Sequence, residues 1–325
     1  VADAPLVVLT PAQAATARTN GWLVYSSAVS VTVELADPNW ATPKVTPPVT
    51  PPPSPVPAPG FNLPAVAAGF KRVLAEAWTS TTLNAALWTT PYNGRSEGGQ
   101  TGFFVGKHTV LKGDGWLRLQ AYPDPAGLAQ CWQYDATIAA HVNQWGGAGL
   151  QSTALFPATM NLAFVAKWDT MPGMTPIVLL MGRKNWPPEI DILEMNAALK
   201  GGVPQPYQQS YHYAAPNSQF QVAVVIAAGA DLSQEHLWVF KSTTTGAITT
   251  VTDAAGNVAA TCTVTYADHT AVAVDPTNSY SLATPQFLGL QHQTGDPGNP
   301  PADASVTAAN PITMYVGPVA VDIPA

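Results

Sequence analysis

Trp186-Pro-Pro-Glu189-Ile-Asp191-Ile-Leu-Glu194-Met-Asn196 is the stretch on which the reading of this chain turns. In an extended strand, residues i and i+2 share a face. Glu189 and Asp191 therefore point one way, and Ile190 and Ile192 point the other way into an apolar layer. Strict alternation would put Leu193 beside the acids and send Glu194 into the core, where an unpaired carboxylate is costly or must take up a proton. A one-residue β-bulge near Ile192–Leu193 resets the alternation and returns Glu194 to the face of Glu189 and Asp191. The expectation is a bulged strand over 186–196 with three carboxylates on one side and a hydrophobic layer behind.

Solvated acids on a surface strand are the plain alternative. Against it, the whole chain holds only 20 Asp plus Glu, and three fall within these six positions. The chemistry that wants such a set is retaining glycoside hydrolysis. One carboxylate attacks the anomeric carbon, and a second, about 5–5.5 Å away, protonates the leaving oxygen and later activates water. A middle acid would hydrogen-bond the nucleophile and raise its neighbours' proton affinity by like-charge repulsion. Trp186 just ahead suits a cleft edge, since an indole face stacks on the apolar face of a sugar.

On both sides of this strand the chain repeats one pattern, short β-like runs between Gly, Pro, Asn and Asp turns. The runs include Gly115–Ala121, Gly149–Phe156, Asn161–Trp168, Ile177–Met181, Phe220–Ile226, Leu237–Lys241, Phe287–Gln291 and Ile312–Val316. Many short strands without amphipathic helices between them imply an antiparallel sandwich or barrel. Residues 61–325 are read as one all-β jelly-roll β-sandwich with long loops. Before it, Thr42–Gly60 (TPKVTPPVTPPPSPVPAPG) is too rich in proline for a helix or a central strand and suits an extended spacer held against protein. Residues 1–41 carry two β-like runs, Leu6–Leu9 and Leu23–Leu35. Alone they bury too little apolar surface to be stable, so this arm is expected to dock on the main domain, a second copy or a partner protein.

Only 10% of the 325 residues are charged and 46% are hydrophobic, which suits a two-sheet protein faced with Thr, Ser, Gln and Asn. The net charge of −7 argues against a nucleic-acid partner. No apolar run approaches bilayer-spanning length, so membrane insertion is not expected. Cys131 and Cys262 show no metal-ligand spacing, and either one bridge or two separate thiols fits. The start at Val1 has no leader-like segment, which leaves a removed signal or a trimmed initiator Met equally open.

Glu189-Ile-Asp191-Ile-Leu-Glu194 resembles the bulged E-x-D-x-x-E signature of glycoside hydrolase family 16 in its laminarinase-like form. The resemblance extends in order over most of residues 70–325. It takes in Val73–Trp88, Lys112-Gly-Asp-Gly-Trp-Leu-Arg-Leu, Gly147–Phe156, Gly173–Met181, Tyr211-His212-Tyr213, His236-x-Trp238 and Phe287–Gly295. It implies a jelly-roll sandwich with a concave substrate cleft acting on β-linked polysaccharide, with Glu189 as nucleophile, Asp191 as its helper and Glu194 as acid/base. No cofactor is implied. Some members hold a structural Ca²⁺, but no clustered oxygen-ligand motif stands out here. The chain departs from the family at several positions. Leu179 stands where a Trp is common, Ala163 and Val165 replace a Glu and an Arg, Pro188 replaces the Gly before the first Glu, and Gln291 stands for an Asn.

Further substrate-binding candidates are His212, beside the catalytic pair, Gln291, and the indoles of Trp186 and Trp145. For His212 the plain alternative is a strand-edge histidine, and for the indoles it is ordinary packing. Trp78, Trp88, Trp116, Trp168 and Trp238 are expected in the core, while Asp296 and Asp303 lie in a Gly/Pro-rich loop. The competing function is a non-catalytic polysaccharide-binding or structural jelly roll of a phage virion or cell-surface assembly. Either way the expected place of action is outside the cell or on a virion surface.

Overall fold

The computed structural model describes residues 59–89, 94–95, 103–128, 145–171, 173–183, 186–195, 199–200, 203–204, 207–214, 218–269, 274–275, 277–294 and 305–325, with three strands nearer the N-terminus. The chain forms two compact units, Val1–Val56 and Pro57–Ala325. In the first, strands Leu6–Val8, Val31–Glu34 and Val24–Ser26 pair antiparallel in that spatial order. The run Leu23–Leu35, expected as one strand, is thus two strands paired with each other, Val24 opposite Val33. Pairing within the run gives both halves ladder partners that a single strand would lack. Residues 42–58 of the proline-rich stretch lie outside the described residues. At its end, the Gly60 N–H donates to Glu235 Oε1 at 2.6 Å.

The second unit is a sandwich of antiparallel strands, as the turn-punctuated sequence predicts. Its main strands are β1 (Phe70–Glu76), β2 (Thr109–Leu111), β3 (Leu117–Pro123), β4 (Trp145–Gln151), β5 (Met160–Trp168), β6 (Met174–Met181), β7 (Glu189–Glu194), β8 (Gln208–Tyr213), β9 (Ser218–Ala223), β10 (Val225–Ile226), β11 (His236–Ser242), β12 (Gly246–Thr252), β13 (Val258–Thr265), β14 (Phe287–Thr294) and β15 (Ile312–Pro324). One layer runs β4-β14-β6-β7-β8-β9 and carries the acidic strand. The other centres on β15. It pairs with β1 and β3 on one side and with β5 on the other, and continues through β11, β12, β13 and β10.

The two layers close on one hydrophobic core. Val178, Leu180, Ile190, Ile192, Leu193, Leu288 and Leu290 enter it from the acid-bearing layer, and Leu162, Phe164, Trp238, Phe240, Val316 and Val319 from the other. Trp78, Trp88, Trp116 and Trp238 are at most 1% exposed and Trp168 is 6% exposed, so the indoles expected in the core are there. Trp238 stacks on Phe164 with ring centroids 5.8 Å apart. Each such side chain contributes roughly 1.5–3 kcal/mol by leaving water, which is how this chain is held together with so few charges. Cys262 is buried in β13, and burial pushes its thiol up to about 11. Cys131 lies outside the described residues. Among the described residues, no helix is long and apolar enough to cross a membrane.

Candidate active site

The acidic strand carries the bulge that its alternation demands. β6 and β7 pair Met181 with Glu189, Leu180 with Ile190 and Leu179 with Asp191, then Val178 with Leu193 and Ile177 with Glu194. Ile192 is the extra residue, skipped where the register shifts. Met181, Leu179 and Ile177 are alternate residues of a regular strand and so share a face. Glu189, Asp191 and Glu194, standing opposite them, share that face as well. Ile190, Ile192 and Leu193 all turn into the core. Without the bulge, Glu194 would have gone there.

The neighbouring registers extend this into three rows across the layer. Phe287, Met181, Glu189, His212 and Gln219 form the first. Gln151, Gly289, Leu179, Asp191, Ser210 and Gln221 form the second. Gly149, Gln291, Ile177 and Glu194 form the third. To one side of the acids the surface is apolar, with Ile177, Leu179 and Phe287 in a small separate cluster. Leu179 leans over Gly289, where even a Cβ would meet its Cδ1 at 2.6 Å. To the other side it is amide, hydroxyl and imidazole, with Gln221 Nε2 donating to Ser210 Oγ at 3.2 Å.

The polar contacts knit the acids to their neighbours. Trp186 Nε1–H donates to Glu189 Oε2 at 2.5 Å, and its ring lies 5.6 Å from that of His212. His212 Nε2 is 3.4 Å from Asp191 Oδ2. Asp191 is 4% exposed, whereas Glu189 and Glu194 are half-buried. Burial pushes the Asp191 carboxyl well above the usual carboxylate range, the charges of Glu189 and Glu194 add to this, and the hydrogen bond from His212 opposes it. The surroundings of the middle acid thus favour its protonated form, so the like-charge effect runs from Glu189 and Glu194 onto Asp191 and not, as the sequence suggested, from the middle acid onto its neighbours.

The sequence-derived candidates divide. Glu189, Asp191, Glu194, His212 and Gln291 lie on the one face. Gln291 is 5% exposed and its Oε1 accepts from Gln293 Nε2 at 2.7 Å. Trp186 borders the face and is 44% exposed. Trp145 is a correction. At 5% exposure it packs with Ala121, Tyr122, Met171, Met174 and Val306 in a satellite core, so its ring faces are covered and offer no sugar platform. Asp296 and Asp303 lie outside the described residues. Ser210, Gln219, Gln221 and Gln293 were not foreseen, because they become neighbours of the acids only through strand registers. Among the described residues, the one cluster of three or more His, Cys, Asp or Glu side chains placed to share a cation is Glu189, Asp191 and His212, whose ligand atoms lie within 4.8 Å of one another. With an imidazole and two carboxylates it lacks the all-oxygen shell that calcium takes, so it does not fit a structural Ca²⁺ site.

No family model and no curated protein sequence matches the chain. Solved structures do. One, from work on endo-acting O-glycanases that members of the human gut microbiota express to initiate mucin breakdown, aligns at 18% identity, covering 81% of this chain and 94% of the other, with a TM-score of 0.60. SCLam, a non-specific endo-β-1,3(4)-glucanase from glycoside hydrolase family 16, aligns at 18% identity over 83% of this chain and 97% of its own, TM-score 0.55. The laminarinase catalytic domain from Thermotoga petrophila RKU-1 aligns at 15% identity over 78% of this chain and 98% of its own, TM-score 0.55. The jelly-roll sandwich expected from the resemblance is therefore the fold this chain has.

Proposed function

We propose that the chain is a retaining, endo-acting glycoside hydrolase that cleaves β-linked polysaccharide, whether β-glucan, galactan or bacterial exopolysaccharide, outside the cell. The observation that carries the proposal is the alignment of Glu189, Asp191 and Glu194 opposite Met181, Leu179 and Ile177. Met181 and Ile177 are four residue steps apart, about 13 Å between the Cα atoms opposite at ~3.3 Å per residue. Two Glu side chains are long enough to reach toward each other across Asp191 and bring that span to the ~5–5.5 Å that a retaining pair needs.

Glu189 attacks the anomeric carbon and forms a covalent glycosyl-enzyme, with Trp186 Nε1–H holding one carboxylate oxygen so that the other faces the sugar. Glu194 gives its proton to the departing glycosidic oxygen. It then removes a proton from the water that attacks the same carbon from the opposite side, and the β configuration is restored. Asp191, whose burial favours the protonated carboxyl, steadies the Glu189 carboxylate before attack, and His212 fixes the Asp191 carboxyl. The like-folded endo-glucanase and laminarinase support the substrate class.

Product analysis on a panel of β-glucans, galactans and exopolysaccharides tests the substrate. The roles are tested by substitution. Glu189→Gln is expected to abolish turnover yet bind saccharide. Glu194→Ala is expected to keep the first step for aryl glycosides with good leaving groups, with azide restoring the second step as a β-glycosyl azide. An α-anomer as first product, or azide rescue at Glu189 in place of Glu194, overturns the assignment.

A further inference from the structure

The bulge creates a difficulty that the rest of the fold has to solve. Ile192 has no partner in the register with β6 or with β8, and it is fully buried. A buried backbone carbonyl outside the ladder must find donors elsewhere. The Ile192 carbonyl finds two side chains. The Tyr207 hydroxyl donates to it, and Gln209 Nε2 donates to it at 2.8 Å.

Gln209 is 1% exposed and every hydrogen-bonding valence of its amide is used. Its second Nε2 proton goes to Thr249 Oγ1 at 2.8 Å, and its Oε1 accepts from the Tyr211 hydroxyl at 3.0 Å and from Thr249 Oγ1 at 3.2 Å. Turning the amide over would set Oε1 against the Ile192 carbonyl, acceptor against acceptor, so the network fixes which end faces the bulge. Thr249 belongs to β12 in the opposite layer and is itself 2% exposed. The bulge is therefore tied through Gln209 to the second sheet, across a core that is mainly apolar.

We infer that Gln209, seconded by Tyr207, is a positioning residue that selects the bulged register of β7 and so sets where the Glu194 carboxyl stands relative to Glu189. An unbulged strand has no spare carbonyl for these donors, and the amide would be buried with a proton unused. The same network that penalises the regular strand therefore rewards the one that brings Glu194 to the acid face. This inference rests on the hydrolase reading, in which Glu194 is the proton donor, and it predicts an effect specific to that proton.

The test uses the full chain with Gln209→Met, which keeps the length of the side chain and removes its donors, and Tyr207→Phe, which removes the other donor. Two substrates are compared by kcat/KM, which reports the first chemical step. These are the polysaccharide identified by product analysis and an aryl glycoside of the same sugar whose leaving group needs no proton. For Gln209→Met the polysaccharide rate should fall on the order of a hundredfold, as for a misplaced catalytic group, while the aryl glycoside changes no more than about threefold. In a Glu194→Ala background Gln209→Met should add less than about a further twofold, because it acts through a group already gone. Equal losses on both substrates, no loss on either, or a full additional loss in the Glu194→Ala background would show a merely structural role and overturn the inference. Should Gln209→Met fail to fold, Tyr207→Phe carries the same comparison with a smaller ratio, since Gln209 still donates. A wild-type chain that cleaves neither substrate defeats the hydrolase reading, and this inference with it.

Discussion

His292 makes the stability of the fold depend on pH. It lies in β14 between Gln291 and Gln293, and alternation turns its ring away from the acid face into the interior, fully buried. Nδ1–H donates to Leu119 O in β3 at 2.9 Å, while Nε2 meets no hydrogen-bond partner among the described residues. Protonation would place a second N–H, and a charge, where nothing accepts it. Burial accordingly lowers the imidazole from 6.5 to about 4, against a small upward pull from the Leu119 carbonyl. The folded state thus binds fewer protons than the unfolded one between these values, and stability is complete above 6.5 and lost as pH falls toward 4. At pH 5 the unfolded ring is protonated about thirty to one and the folded ring about one to ten, which removes about 2 kcal/mol relative to pH 7.5. Urea unfolding followed by tryptophan fluorescence, for wild type and His292→Gln at constant ionic strength, isolates this contribution, because every other titration is common to both. The wild-type minus variant difference should fall by that amount from pH 7.5 to 5. A flat difference, or one that grows on acidification, refutes the reasoning.

Three further outcomes are expected. Trp186→Phe keeps a ring but loses the N–H held by Glu189. It should cost about tenfold in kcat/KM, the low end for a hydrogen bond to a charged group because the site is partly exposed, and Trp186→Ala should raise KM further. Asp191→Asn should lower activity yet, relative to wild type, gain stability between pH 4 and 7. The raised Asp191 carboxyl makes the folded state hold a proton that the unfolded chain has released, so wild-type stability declines as pH rises through that window, and comparative unfolding at the two pH values detects it. Removing residues 1–58 should leave hydrolysis largely intact, since the rows of the acid face lie wholly within Pro57–Ala325; a folded but inactive truncate would show that the arm helps build the site.

The features legible along the chain are local ones. Period-2 alternation, read against the cost of a buried carboxylate, required a bulged strand over 186–196; the strand spans only Glu189–Glu194, beginning after Pro187 and Pro188, which have no N–H for a ladder, and the bulge stands at Ile192. Turn punctuation placed most strands, and Trp78, Trp88, Trp116, Trp168 and Trp238 are in the core as expected. The strands that escaped are instructive. In β12 and β13 the inward residues include Ala247, Val251, Ala259 and Val264 between threonines, so the apolar signal is faint until both strands are paired. Leu23–Leu35 read as one strand because alternation cannot report a chain pairing with itself. Trp145 shows the opposite limit: an indole carries the same letter whether its face is open or covered, and only the packing of Met171, Met174 and Val306 around it decided. The support of the bulge was likewise invisible. Gln209 is an unremarkable amide in the sequence, 17 residues from Ile192 and 40 from Thr249, and its meaning arises when two sheets close and leave one carbonyl without a ladder. Side-chain direction along a strand is set by neighbours in the chain, whereas which buried polar groups must satisfy one another is set by strands that meet only in the folded molecule.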